Sequence, residues 1–396
     1  MIKVPPSEIA TRIVSFQHFL LERGVDAAII RQNADLYYFT GTVQDGYLFV
    51  PSVGEPLFCV RRQIERAMEQ SPLRPIIPIR TPREIPNILL DHGYEDLVKI
   101  GLELDVMPAS TYFFFKDTLF PRVEIVDVSM VIRQVRVIKS EWEIDMMKKA
   151  AVISHKVAEA VPEFLKEGIT QLDLSIELEK VARKNGHLGL IRIRGWNMDM
   201  YFGHVLAGPD AAVPSYADAP TGGVGISPAF GQGPSVSPIT AGQVVSIDTM
   251  MNFEGYLSDQ TRNFCIGNPP GGLADAYEVV KEIHEEFKEN AKPGTVTGEL
   301  YEMVVNRVAK HNLQDYFLGS PGNQVKFVGH GLGIEVDEFP FIAKGQRMPL
   351  GAGMTVAFEP KFIFPDLGIV GLENTYLITD EGAVSLNTFP EELMIL

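Results

Sequence analysis

Four acidic side chains and one imidazole sit inside apolar, β-rich stretches of the C-terminal half of this 396-residue chain. Val244 to Asp248 reads as a strand that delivers a carboxylate at its end, and the chain then turns through Gly255. Ser258 to Arg262 follows as a second strand, so a hairpin of this size can bring Asp248 and Asp259 side by side. Phe327 to Gly333 places His330 in a Gly-flanked turn, Val356 to Pro360 ends a strand with Glu359, and Gly371 to Tyr376 puts Glu373 within a strand. Ionised groups in an apolar interior are costly unless paired or bound to metal. Taken singly, each acid reads as a solvent-facing strand end and His330 as a satisfied buried histidine. Taken together, they form a hard, oxygen-rich set able to hold two divalent ions with shared bridges, an arrangement that activates water and clamps a tetrahedral intermediate.

The rest of the chain is organised as α/β. Apolar residues at Ile9, Ile13, Phe16, Leu20 and Leu21 predict an amphipathic helix closed by Gly24. Val25–Ile30 and Leu36–Phe39 read as strands, Tyr47–Val50 and Pro56–Val60 as a hairpin, Pro86–His92 as a short helix and Lys99–Leu102 as a strand. This alternation predicts a small mixed-sheet α/β domain over residues 1–136. Tyr112 to Phe115 reads as a buried strand or helix segment. Ser140 followed by Glu143 has capping-box spacing ahead of the apolar-periodic Ile144–Val161, which opens a second domain over residues 137–396. Within it, Gly168 and helix Leu172–Lys184 resemble Gly294 and helix Glu299–His311, each after a long helix pattern, as two similar α/β halves with a cleft between them would require. Gly208 to Gly242 is rich in Gly, Pro, Ser and Ala and reads as a long loop, a feature usually tied to function.

Composition narrows the function classes. The chain carries 35 Lys and Arg against 51 Asp and Glu, a net charge of −16, which disfavours a nucleic-acid partner. Its apolar runs are shorter than the roughly 18 residues of a membrane span, and the N-terminal segment is too charged for a signal peptide, so a soluble protein is expected. Two cysteines, Cys59 and Cys265, form neither a disulfide framework nor a C-x-x-C motif and suit the reducing cytoplasm. The glycines around His330 are followed by Ile334 to Pro340, which is no helix start, so they are not a dinucleotide fingerprint. The sequence contains no G-x-S-x-G elbow.

An Asp, then G-Y-x-S-D-x-T-R, G-H-G-x-G, x-E-P and x-E-N-T, in this order, resemble the pita-bread metallopeptidases, which include Xaa-Pro aminopeptidases, prolidases, methionine aminopeptidases and the related creatinase. The resemblance extends to the N-terminal part, where Asn33 to Gly41 is similar to the creatinase-type N-terminal domain. It implies a pseudo-twofold pita-bread catalytic domain of α+β type and a homodimer. It also implies that Asp248 holds one metal, that His330 and Glu359 hold the other, that Asp259 and Glu373 bridge both, and that Glu359 shuttles the proton. Manganese, cobalt, zinc or iron could serve. The reaction implied is hydrolysis of a C–N bond in a small peptide or amide, most readily an Xaa-Pro peptide. Three substrate positions depart from the family: Ser215 and Asp337 stand where histidines are usual, and Gly371 where an arginine is common. His204 could supply a displaced imidazole, and Arg192, Arg194 or Lys361 could restore a cationic clamp. These departures keep two other readings open, an amidohydrolase of a non-peptide small molecule and a non-catalytic binding protein on the same fold.

Overall fold

The computed structural model describes residues 2–396, which form two compact units. The first runs to Arg136 and includes Arg194–Met198. Its six-stranded sheet has the order Ile76–Pro78, Leu57–Val60, Gly46–Pro51, Ala27–Ile30, Lys99–Leu102 and Glu124–Asp127. The two contacts of Gly46–Pro51 are antiparallel and the other three pairings parallel, so the sheet is mixed. Helix Pro6–Glu22 buries Ile9, Ile13, Phe16 and Leu20, the stripe that its sequence period requires.

Leu36–Phe39 is not a strand. It lies in helix Asn33–Thr40, which the Gln32 side chain caps by accepting from the Asp35 N–H and which Gly41 closes in the left-handed region at φ 76°. Local capping thus overrides the β preference of Leu-Tyr-Tyr-Phe. The same turn buries Asp35, whose carboxylate accepts from Arg136 at 2.6 Å and from Arg194 at 2.7 Å. Tyr112 to Phe115 runs along helix Ala109–Phe113 into the wider turn Phe114–Leu119, with Phe115 buried near Tyr47 and Phe120 and Phe113 exposed.

The second unit, Val137–Ile193 with Asp199–Leu396, carries the acidic strands. Helix Glu141–Phe164 opens with the capping box: Ser140 Oγ accepts from the Glu143 N–H at 3.2 Å and Glu143 accepts from the Ser140 N–H at 3.1 Å. The main sheet has the order Val336–Ala343, Phe327–Leu332, Thr355–Phe358, Glu373–Thr379, Tyr256–Cys265, Val244–Phe253 and Gly203–Ala207, all antiparallel. Gly382–Ser385 pairs beside Glu373–Thr379, and Met394–Ile395 runs parallel to Tyr256–Cys265. Lys361–Phe364 and Gly368–Gly371 form a separate two-stranded ribbon.

Two helix pairs pack this sheet into two cores. Glu141–Phe164 and Gln171–Lys184 bury Val157, Val161, Leu174 and Leu178 with Val205, Val245 and Ile247. Gly271–Asn290 and Thr297–Lys310 bury Val280, Ile283, Phe287 and Val304 with Val356, Phe358 and Tyr376. The halves repeat in backbone detail. Gly168 donates to Ile239 O and Gly294 to Leu350 O, both at 2.8 Å, and the return bonds run from Ile239 to Ile169 O and from Leu350 to Thr295 O. Both glycines adopt φ 90°, a conformation that side chains oppose. Gly208–Gly242 is irregular after a 3₁₀ turn at Gly208–Ala212.

Two local readings are corrected. Asp248 lies in the middle of a ten-residue strand rather than at its end, because the hairpin with Tyr256–Cys265 zips through Met250, Met251 and Asn252. His330 lies within strand Phe327–Leu332 rather than in a turn. Its flanking glycines allow close backbone approach there: a Cβ on Gly329 would come within 2.6 Å of Ala357 O, and one on Gly331 would collide with Phe339.

His284 ties the second core to the acidic sheet. Its Nε2 faces Leu372 O at 2.9 Å and must donate, leaving Nδ1 to accept from Tyr376 Oη at 2.8 Å. Burial is the chief cause that lowers its pKa from 6.5 to about 3. Between these values the unfolded chain binds a proton that the folded chain refuses, so stability falls as the pH drops below 6.5. The expected loss from this residue near pH 4 is about 3 kcal/mol. Denaturant titrations from pH 7 to 4 should therefore show a shallower decline for His284→Gln than for the parent, and parallel curves would contradict a buried neutral imidazole.

Candidate metal centre

Strand register assembles the acidic side chains. Asp248 lies opposite Thr261 and Asp259 opposite Met250, which sets both aspartates on one face of the hairpin. Glu373 begins the next strand, also opposite Thr261, so Asp248, Thr261 and Glu373 form a row across three strands. Thr261 Oγ1 donates to Glu373 Oε2 at 2.8 Å, and the Asp259 N–H donates to Thr375 Oγ1 at 2.9 Å. On the other side, His330 lies opposite Ala357, and Glu359 directly follows that strand, its N–H donating to Val328 O at 2.9 Å. His330 Nε2 stands 3.8 Å from Glu359 Oε1.

Lys361 enters the centre of this group. Its ammonium donates to Glu359 Oε2 at 2.7 Å, Asp248 Oδ2 at 2.8 Å and Glu373 Oε2 at 3.2 Å, with the side chain 1% exposed. The ribbon sets Lys361 opposite Gly371, and a Cβ at 371 would collide with the Lys361 stem. The missing side chain at 371 is thus what gives the lysine its path.

The electrostatics follow from crowding. Burial, then Glu373 and Asp248, push the Asp259 carboxyl well above the usual carboxylate range. Burial also raises Glu373, to about 7, against the pull of Lys361. Asp248 goes the other way: burial would raise it, but Lys361 and His204 outweigh that and lower it. Burial lowers Lys361 less than Asp248, Glu359 and Glu373 together raise it, so its ammonium form is held firmly.

A divalent ion fits what remains. Asp259, His330 and Glu373 each offer a ligand atom, all within 4.8 Å of one another, and all three residues are buried. Asp259 Oδ1 has no hydrogen-bond partner despite its burial, a costly state that a cation relieves. His330 Nδ1 faces its neighbour Gly331 O at 3.1 Å, which fixes the proton there and leaves Nε2 as the ligand atom.

The other candidate residues divide. His204 lies opposite Asp248 on the adjoining strand, its Nδ1 2.8 Å from Thr221 Oγ1, with a pKa lowered chiefly by burial. Asp337, at φ 64°, places Oδ1 3.6 Å from His330 Nδ1. The adjacent Glu338 turns away to accept from Lys139 and from the Ile334 and Glu335 N–H groups. Ser215 lines a cavity of about 250 Å³ with Asp218, Ser320 and Asn323, and its Oγ accepts from the Ala217 N–H. Arg194 belongs to the first unit, paired with Asp35 and Asp105, and Lys361 is committed to the carboxylates rather than offered as a clamp.

Sequence reasoning missed the residues that hold this group in place. Thr261 and Thr375 were visible only as motif polar positions, and Arg262, buried, donates to Thr261 O, Glu373 O and Phe389 O, fixing two acidic strands against the C-terminal segment. Asn263 bonds both main-chain groups of Gly371.

Known proteins share this architecture. The family described as "Metallopeptidase family M24" matches residues 145–380, and "Creatinase/Prolidase N-terminal domain" matches residues 12–138. An Xaa-Pro dipeptidase of Pyrococcus furiosus is 28% identical over 97% of this chain and 99% of its own length. The crystal structure of a prolidase from Pyrococcus horikoshii superposes with a TM-score of 0.81 at 27% identity, covering 97% of this chain and 100% of that one. The X-Pro aminopeptidase of Thermotoga maritima, at 21% identity and a TM-score of 0.80 over 97% of this chain and 99% of that one, shares the fold.

The fit of Lys361 beneath position 371 makes a direct test possible. Gly371→Ala should lower the unfolding free energy by about 1–3 kcal/mol, as overpacking of a filled site does. Unchanged stability in a denaturant titration would show that the lysine stem is free to move aside.

Proposed function

Because the chain belongs to the metallopeptidase family M24, we propose that it is a divalent-metal-dependent Xaa-Pro peptidase, cleaving a short substrate ahead of a proline. The observation that carries this reading is the buried, unpartnered Asp259 Oδ1 beside His330 and Glu373. Residues 1–136 are then its N-terminal domain and residues 137–396 its peptidase domain, a division supported by the two family matches and the two compact units. Asp259, His330 and Glu373 hold the ion. A second ion, which the full set of Asp248, Asp259, His330, Glu359 and Glu373 would allow, has to displace the Lys361 ammonium. When bound, the metal supplies Lewis-acid polarisation of the scissile carbonyl and an activated water.

The chain's own groups do the rest. Glu359, within reach of both His330 and Lys361, is the proton shuttle. His204 and Asp337, on opposite sides of the group, orient the substrate, and Ser215 and Gly371 occupy the remaining substrate positions. Oxygen-rich ligands favour manganese by hardness, whereas the affinity order favours zinc over iron and cobalt. Two buried, unpaired cysteines support a cytoplasmic location, and a homodimer is the assembly proposed from the resemblance.

Glu359→Gln should lower kcat roughly 10²- to 10⁴-fold with little change in substrate binding. Turnover within a few-fold of the parent removes Glu359 from the proton-shuttle role.

A substrate panel separates the finer readings. Position 371 offers no side chain, and Lys361 faces the carboxylates, so a free dipeptide carboxylate lacks a clamp there. An Xaa-Pro tripeptide or a dipeptide amide should therefore exceed the free dipeptide in kcat/KM. Preference for the free dipeptide refutes this specificity, and hydrolysis of small amides without hydrolysis of peptides favours the amidohydrolase reading instead.

A further inference from the structure

We propose that Lys361 stands in for one of two metal ions, so that this chain binds a single divalent ion, at Asp259, His330 and Glu373. The inference rests on the metallopeptidase reading and changes the ion count within it.

The argument is one of shared ligands. An ammonium has three N–H donors, and Lys361 spends them on Asp248 Oδ2, Glu359 Oε2 and Glu373 Oε2. An ion held by Asp248 would have to share carboxylates that already receive the ammonium, at Asp248 Oδ2, Glu359 Oε2 and Glu373 Oε2. Admitting it would place a divalent cation against a buried ammonium and draw the shared carboxylates away from it, a loss that a side chain 1% exposed cannot make good with water. The ion at Asp259, His330 and Glu373 meets no such conflict. Asp259 makes no bond to Lys361, its Oδ1 is unpartnered, and His330 directs Nε2 toward the group. Glu373 serves both cations through different edges of one carboxylate, one oxygen receiving the ammonium and Thr261 and the other remaining for metal.

The arrangement is built rather than incidental. Lys361 reaches the carboxylates because its cross-strand partner is Gly371, whose missing Cβ leaves the stem its channel. Asn263 fixes Gly371 from behind through its N–H and carbonyl. A lysine and a glycine on facing strands thus replace an empty path by a tethered cation.

Metal content tests this without reference to activity. The full-length protein is saturated with Mn²⁺, dialysed and counted by mass spectrometry, alongside Lys361→Ala and Lys361→Met. The expected result is one ion per chain in the parent and two in Lys361→Ala, a doubling, with Lys361→Met intermediate or equal to two because it removes the charge but keeps part of the stem. The electron paramagnetic resonance spectrum of the Mn²⁺-loaded parent supplies a second readout that needs no variant: an isolated-ion, six-line signal is expected. Two ions per parent chain, or an exchange-coupled spectrum, overturns the inference while sparing the metallopeptidase reading. A count that stays at one in a folded Lys361→Ala also overturns it. No bound ion in the parent overturns both.

Discussion

Four carboxylates packed together, three of them on one buried lysine, repel one another strongly enough that an apolar sheet holds them only with cations or bound protons. Asp248, Asp259, Glu359 and Glu373 come from three different strands and the residue after a fourth, so the repulsion acts directly on strand pairing. Lys361 answers it for Asp248, Glu359 and Glu373, whereas Asp259 is left with an unpartnered oxygen and a pKa driven up by burial and its neighbours. That asymmetry organises the site: one part is neutralised by the chain itself, and the other waits for charge from outside. Breaking such a buried group by removing one partner typically costs 3–5 kcal/mol.

A second layer of fixed hydrogen bonds makes the crowding tolerable. Arg262 points away from the acids and ties Thr261 O and Glu373 O to the C-terminal segment through Phe389 O and Pro390 O, so the two strands cannot separate to relieve repulsion. His284 holds Leu372 O from the helix side, directly before Glu373. Thr375 couples to both main-chain groups of Asp259, accepting from its N–H and donating to its carbonyl. Each contact uses a backbone atom, which fixes where a carboxylate starts while leaving its oxygens for ligands.

Much of this was legible because the period of the sequence and the needs of buried charge point the same way. Acidic residues inside β-rich runs announced a cation-binding group, and the paired glycines Gly168 and Gly294 announced a duplicated domain whose hydrogen bonds repeat at Ile239 and Leu350. Local errors arose where a neighbouring element outweighed the local pattern. Leu36–Phe39 became helical because Gln32 and Gly41 cap it, and Asp248 moved inside its strand because the facing strand continues past it. In the sequence Lys361 reads as one of three candidate clamp cations for a substrate, not as a partner of the carboxylates. Its direction depends on a strand partner with no side chain, and pairing of Lys361 with Gly371 across the ribbon is a tertiary fact that sequence spacing does not encode.

Ligands and substrate positions are carried by different kinds of structure, which explains why one is easier to infer than the other. Asp248, Asp259 and Glu373 sit on strands of ten, ten and seven residues, where register fixes them and a one-residue slip would turn every carboxylate to the opposite face. Ser215 lies on an irregular segment, Asp337 sits at a strained backbone position, and Gly371 ends a four-residue ribbon strand. The irregular segment around Ser215 tolerates exchange of side chains without disturbing the sheet. The exchange at Gly371 nevertheless reaches inward, because the space it vacates is taken by Lys361 rather than by solvent. One pair of facing residues, Lys361 and Gly371, thereby sets the charge at the middle of the acidic group.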